Sequence, residues 1–307
     1  TVKEAFEVAG LPTSWGAPQF KDAVARTDAV AVQRLRAAGA VILGKTNVAL
    51  MLGDWQSTNP VHGRTNNPLD RSRTAGGSSG GSSAALAAGF TPLEFGSDIG
   101  GSIRVPSAFC GVFGHKPSHE LIPQRGHWPG GLPEPVVPLN VVGPMARSAA
   151  DLTLALDVTA GPDLDQAVGY TLSLPPPRRE RLADLRVLVL DSHPLCVTDP
   201  QIQAALGRLA DWLGRKGATV GRSSPLLPDL VQAQGAYATL VSSVFSLNDA
   251  DRPSPRTARE WLQAQAHQVA VRRQWAELFR EWDVVAAPAF GVVAFPHDAA
   301  PQTARVH

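Results

Sequence analysis

Between Gly76 and Lys116 two glycine-serine runs bracket a helix-like and a strand-like stretch, an arrangement few folds accommodate. The first is Gly76-Gly77-Ser78-Ser79-Gly80-Gly81-Ser82 and the second is Gly96-Ser97-Asp98-Ile99-Gly100-Gly101-Ser102. A flexible linker would be polar and small throughout. Here the first run enters an Ala/Ser-rich helical segment at 82–88, stopped by Gly89, and then a strand-like segment at 90–95. The second opens onto Ile103-Arg104-Val105-Pro106, a helical start with proline in its first turn. Gly100 and Gly101 permit a backbone whose successive N–H groups turn into one concavity, a nest that suits an anion or the oxyanion of acyl transfer. A serine at its rim, Ser102, is placed to attack a carbonyl, and it stands 24 residues after Ser78.

Two other glycine patterns carry the wrong chemistry. Gly39 to Thr46 matches G-x-x-x-x-G-K-[ST] letter by letter. A phosphate cradle needs a loop after a strand and a helix beginning at the lysine. The four variable residues are Ala40-Val41-Ile42-Leu43, which read as a buried strand, and the segment before Gly39 reads as a helix. Gly77-Ser78-Ser79-Gly80-Gly81 matches the G-x-S-x-G nucleophile elbow, but that elbow needs an apolar strand running into it. Residues 66–75 are polar and turn-forming.

The rest of the chain alternates short apolar runs with helical periodicity and reads as α/β. Thr27-Asp28 is expected to cap a helix that buries Val32, Leu35 and Ala38 and stops at Gly39. Ser148 reads as the N-cap of a helix over 149–159, with Gly161 as its stop. Residues 162–183, with Pro175-Pro176-Pro177, read as a polar connector. Beyond it a strand is expected at 186–190, an amphipathic helix at 202–212 with Leu206, Leu209 and Leu213 on one face, helices at 229–247 and 257–281, and a last strand at 284–287. Trp261, Trp275, Phe279 and Trp282 read as packing residues, and the polar tail at 298–307 as closing no element.

Composition narrows the function class. With 28 Lys+Arg against 27 Asp+Glu, the net charge of +1 provides no long-range field to attract nucleic acid or an anionic membrane. No stretch of about 18 apolar residues is present for a membrane span. Cys110 and Cys196 form no disulfide framework or metal-ligand spacing and are expected to be inert core thiols, so a cytoplasmic, reducing location is the default. His115, His119 and His127 also lack ligand spacing and are expected at the surface or as satisfied core groups.

The runs GGSSGGS and GSDIGGSIRVPSAFCGVFGHKPS resemble the amidase signature family of serine hydrolases, with similarity from Thr1 to residue 160 and more loosely beyond. The resemblance implies an α/β fold with a central twisted mixed β-sheet flanked by helices on both faces. It implies a single domain over 1–307, with a catalytic core at 1–160, the connector at 162–183 and the remainder at 184–307. Ser102 corresponds to the family's nucleophile and Ser78 to its proton-shuttling serine, which follows a cis peptide. Backbone N–H groups of Ile99, Gly100, Gly101 and Ser102 correspond to the oxyanion hole, while Asp98 and Arg104 correspond to supports of that loop.

The family's general base is a lysine in a Val/Ile-x-Lys-Asp/Glu context, matched here by Val2-Lys3-Glu4. The interval of 75 residues from Lys3 to Ser78 resembles the family's long spacing, whereas Lys45 in Gly-Lys-Thr-Asn corresponds to a structural segment. Lys45 is expected to bond nearby carbonyls, and Lys116 to be a strand-end surface cation. The backbone around Leu52 is a candidate substrate contact, in a loop whose Trp55 would suit an apolar or aryl acyl group.

The implied reaction hydrolyses a linear carboxylic amide through an acyl-enzyme, with no cofactor and no metal. Its partner is a small-molecule amide, with neither nucleic acid nor membrane, and a homodimer is compatible with it. Within the family the alternative is the amidase subunit of the glutamyl-tRNA amidotransferase, whose D-E-F-A-M-G-S-S-x-E pattern is replaced here by residues 48–58. Outside the enzyme class, the alternative is an inactive binding relative or fragment. Family members are longer, and the chain is expected to be a piece truncated at both ends.

Overall fold

Val2 and Lys3 pair with segments more than forty and ninety residues away, so this two-residue strand organises the first sheet. The computed structural model describes residues 1–129, 134, 135, 137–246 and 257–300. They fall into two units, one of Thr1–Ser173 with the segment from Ala294 onward, the other Leu174–Val293.

In chain order the first unit contains β1 (Val2–Lys3), α1 (Val30–Ala37), β2 (Lys45–Thr46), β3 (Thr58–Asn59), β4 (Gly63–Arg64) and α2 (Gly80–Ala87). It continues with β5 (Leu93–Asp98), α3 (Arg104–Cys110), β6 (Phe113–Gly114), β7 (Val141–Ala146) and α4 (Ala149–Thr159). The sheet order is β2-β1-β5-β7-β6. β1 is parallel to both its neighbours, while β7 is antiparallel to β5 and β6, so the sheet is mixed. Val2 and Phe95 pack with Val32 and Leu35 of α1 and Ala155 of α4 in one apolar cluster, while Leu86, Ile103 and Met145 form another. Burying such side chains contributes roughly 1.5–3 kcal/mol each.

The second unit contains β8 (Arg186–Val189), α5 (Pro200–Arg215), β9 (Thr219–Gly221), α6 (Leu230–Ser246), α7 (Ala258–Glu281) and β10 (Val284–Ala286). Its three strands are all parallel, in the order β10-β8-β9, and Val187 and Val189 pack on Leu206, Ala210 and Leu213 of α5. Asp199 accepts from Gln201 N at the start of α5, and Thr257 forms a reciprocal capping box with Glu260 at the start of α7. Trp275 and Phe279 stack on one another at 5.9 Å. Leu209 is 37% exposed and stands at the margin of the expected apolar stripe. Leu247, the expected end of α6, lies outside the described residues.

Several local expectations are corrected. Ala40 to Leu43 is not a buried strand: Val41 and Leu43 are 79% and 71% exposed. The pairing falls instead at Lys45–Thr46, where Glu4 N reaches Thr46 O. Asp28 does not cap α1. The N-cap is Ala29, and Asp28 instead accepts from Ala9 N and pairs with Arg36. Ala38, past the end of that helix, is exposed. Ser148 does cap α4, accepting from Asp151 N at 3.1 Å. Cys110 is buried, and burial pushes its thiol up to about 12, but Cys196 is exposed and not a core thiol. Lys116 is partly buried, donates to Leu139 O at 3.2 Å, and is lowered to about 8 by burial. No helix among the described residues is long and apolar enough to cross a membrane.

Candidate active site

Three loops meet at the ends of β1 and β5. Lys3 is fully buried, and its Nζ donates to Ser78 Oγ at 2.6 Å and to Ser97 Oγ at 2.8 Å, with Ser97 O at 3.4 Å. Burial lowers its pKa to about 7, against the opposing pull of the Asp98 and Glu4 charges. A neutral amine is thus accessible near neutral pH. Lys45 turns elsewhere: its Nζ bonds Pro12 O and, at 2.9 Å, Thr13 Oγ1. Of the two lysines only Lys3 meets the serine loop.

The peptide bond from Gly77 to Ser78 is cis. A Cβ on Gly77 would lie 2.6 Å from Asp54 O and 2.8 Å from Gln56 N, so only glycine lets the 54–56 backbone close over the loop. Ser57 Oγ donates towards Gly76 O and Ser78 O and accepts from Gly80 N at 2.9 Å, bridging the loop to the start of α2.

The second serine loop, which carries Ser102, runs from Asp98 into α3. Ser79 N donates to Ser102 O at 3.1 Å, holding the two serine loops side by side, and Ser102 is 7% exposed. No hydrogen bond among the described residues joins Ser78 Oγ to Ser102 Oγ. Catalytic hydrogen bonds are often open without substrate and tighten around it.

Asp98 is completely buried and accepts from the amides of Gly101, Ile103 and Arg104 and from Nε and Nη2 of Arg104, at 2.8–3.2 Å. Burial pushes its carboxyl up, but the Arg104 hydrogen bonds and charge, with the Gly101 amide and the Lys116 charge, hold it down to about 2. The Gly101 amide is therefore already engaged by Asp98. Those of Ile99, Gly100 and Ser102 have no such partner among the described residues. Gly101, at φ +109, supplies the turn that presents them.

Asp98→Asn is expected to lower unfolding stability by about 2–3 kcal/mol through loss of charge-assisted hydrogen bonds. The Arg104 end is 45% exposed, so most of the loss comes from the loop amides. A lower urea midpoint at unchanged slope would register it.

Leu52 lies in a tight turn, Leu50–Leu52, with φ values of 49 at Met51 and 58 at Leu52, and its N–H bonds Ala49 O. No hydrogen bond among the described residues links it to the loop of Ser102. The residue of that segment that does reach it is Trp55, whose indole N–H donates to Gly100 O at 3.0 Å. Trp55 thus supports the loop through its indole N–H. Ser97 also belongs to the site without standing out in the sequence, and Glu4 joins it there. Glu4 accepts from Ser14 N, Ser14 Oγ and Trp15 N, tying the chain after β1 to its next loop. Its place beside Lys3 in the Lys-Glu pair is the signal the sequence offers.

His127 is buried against Phe6 and Trp15, with ring centroids 5.0 and 5.5 Å away, and burial with the Lys3 charge lowers it to about 3. Among the described residues its Nε2 has no hydrogen-bond partner, so it is neither the surface nor the satisfied core histidine expected. Among the described residues no cluster of His, Cys, Asp and Glu could hold a metal.

Comparison with known proteins agrees with this architecture. The family model described as Amidase matches residues 1–255. The chain is 46% identical over 164 residues to fatty-acid amide hydrolase 2 of Homo sapiens, covering 53% of this chain and 31% of that protein. It is 39% identical over 253 residues to a glutamyl-tRNA(Gln) amidotransferase subunit of Deinococcus radiodurans, covering 80% of this chain and 50% of that protein. The chain thus spans at most about half the length of these two curated relatives. A solved structure described through the evolutionary origins of an s-triazine catabolic enzyme superposes with a TM-score of 0.81 at 35% identity, over 96% of this chain and 67% of that one. With the family model matching most of its length, the chain belongs to the amidase signature family.

Proposed function

We propose that this protein hydrolyses a carboxylic amide to an acid and an amine or ammonia, through an acyl-enzyme on Ser102 and a relay of Ser78 and Lys3. The observation that carries this reading is the buried contact of Lys3 Nζ with Ser78 Oγ at 2.6 Å, with the amine lowered to about 7. A lysine held near neutrality beside a hydroxyl is a base poised for proton transfer. In this reaction Ser78 gives its proton to neutral Lys3 and takes that of Ser102, whose Oγ bonds to the amide carbonyl carbon. The oxyanion is held by the amides of Ile99, Gly100 and Ser102. The carbon–nitrogen bond then breaks as the proton on Lys3 returns through Ser78 to the leaving nitrogen. Water, deprotonated through the same relay, opens the ester and frees the acid. Ser97, the second acceptor of the Lys3 amine, orients it toward Ser78.

The similarity to a fatty-acid amide hydrolase supports an apolar acyl group. The similarity to an amidotransferase subunit supports glutamine as the competing substrate. Product release from a panel of linear alkyl, aryl and peptide amides, with glutamine included, is the test. Turnover of alkyl or aryl amides at least about tenfold above glutamine, a difference of about 1.4 kcal/mol in barrier, is the expected result. Glutamine as the best substrate would favour the amidotransferase reading, and no turnover of any amide would favour a binding role.

A further inference from the structure

The segment from Ala294 to Ala300 returns to the first unit and is bonded to both stretches that frame the Ser78 loop, while 301–307 of the polar tail lie outside the described residues. Thr74 N donates to Phe295 O at 2.9 Å, Arg73 bridges to Pro296, and Arg73 Nη1 bonds Ala294 O. Phe295 packs edge-on against Phe109 of α3, centroids 5.8 Å apart. On the other side, Gln56 Nε2 donates to Asp298 O at 2.8 Å and Gln56 Oε1 accepts from Asp298 N at 2.9 Å. Gln56 is only 4% exposed, so this two-bond ring satisfies a buried amide that would otherwise be costly.

Gln56 stands where the machinery is most sensitive to displacement. Its own backbone N is one of the atoms that close over Gly77, and its neighbour Trp55 holds the carbonyl of Gly100. The strap therefore grips, through one side chain, the segment that touches both the shuttle-serine loop and the nucleophile loop. From the Thr74 side it holds the chain that enters the shuttle loop, where Thr74 Oγ1 accepts from Gly76 N at 3.0 Å.

We infer that Gln56 is a positioning residue that, locked by Asp298 of the 294–300 strap, sets the placement of Ser78 relative to Ser102. The inference rests on the reading of Ser78 as the proton shuttle. A misplacement on the ångström scale in such a relay costs up to about a hundredfold in rate. Gln56→Met keeps the length and apolar bulk of the side chain but removes both bonds to Asp298.

The test is a double-mutant cycle on amide turnover with Gln56→Met, Ser78→Ala and the pair, each variant checked by thermal melting. Expected is a fall in kcat of about ten- to a hundredfold for Gln56→Met at nearly unchanged KM, with no further loss in the Ser78→Ala background. An equal fold-loss in both backgrounds would mean a merely structural role and overturn the inference, as would no loss at all. Should Ser78→Ala itself lose nothing, the relay reading falls and takes this inference with it; a Ser78→Ala loss without a Gln56→Met loss sinks the inference alone. If Gln56→Met does not fold, Phe295→Leu loosens the strap from the Phe109 side, and the same non-additivity with Ser78→Ala, on a smaller loss, is required.

Discussion

Ser102→Ala is expected to abolish covalent labelling by a fluorophosphonate and to lower amide turnover by about 10⁴- to 10⁶-fold, the range seen when a nucleophile that acts as a unit with its base is removed. The magnitude follows from what remains. Without Oγ no acyl-enzyme forms, and the Ile99, Gly100 and Ser102 amides can only stabilise attack by water. The fold should be indifferent, because the Ser102 carbonyl that accepts from Ser79 N is untouched and the side chain makes no hydrogen bond among the described residues. Unchanged melting with lost labelling is the expected pair of results. Undiminished labelling would move the nucleophile elsewhere, and Ser79, fully buried, would be the next residue to test.

The second large effect concerns the base. Lys3→Met is expected to lower kcat by about 10²- to 10⁴-fold and to erase the acid limb of the pH profile. The sign follows from the role. Lys3 must be neutral to accept a proton, and burial lowers its pKa to about 7 while Asp98 and Glu4 pull it upward. Activity of the native protein should therefore be small below that pH, where the amine is protonated, and rise to a plateau above it. Lys45 offers the control, since burial lowers it only to about 8 while Glu4 and Glu7 oppose the shift. If Lys45 were the base, the limb would centre near that value and Lys45→Met would remove it. Lys45→Met should instead leave the limb in place and lower stability, because Pro12 O and Thr13 Oγ1 lose their donor.

Local signals are dependable where one side chain settles a backbone need within a few residues. Ser148 at the start of α4 and Thr257 with Glu260 at the start of α7 are of this kind, since their oxygens meet N–H groups three residues on. Asp28 has the same chemistry and fails as a cap, because Ala9 N and Arg36, brought to it by tertiary packing, compete for its carboxylate. Ala40 to Leu43 fails for a related reason. An apolar run states that burial would be favourable but not which surface covers it, and β1 pairs only from residue 45 onward.

The candidate site divides along the same line. Lys3, Ser78 and Ser102 are singled out by the resemblance to the amidase signature family, and the structure sets Lys3 against Ser78 and the Ser78 loop against that of Ser102. Asp98 and Arg104 are legible because they sit within a few residues of the loop they support. Ser97, Trp55 and Gln56 are ordinary residues whose significance is a distance. Ser97 matters because β1 and β5 are adjacent and parallel, which puts its hydroxyl 2.8 Å from a lysine 94 positions earlier. Gln56 matters because a segment 242 residues further on returns to meet it.

The residues alone thus pointed to the family and to Lys3, Ser78 and Ser102 as candidate site residues, since covalent chemistry is encoded in side-chain identity. Only the tertiary structure decided which lysine is dehydrated beside Ser78, that the Gly101 amide serves Asp98, and what holds the serine loops in register. Burial, hydrogen-bond competition and long-range contact are properties of neighbours in space, and the order of residues along a chain does not contain them.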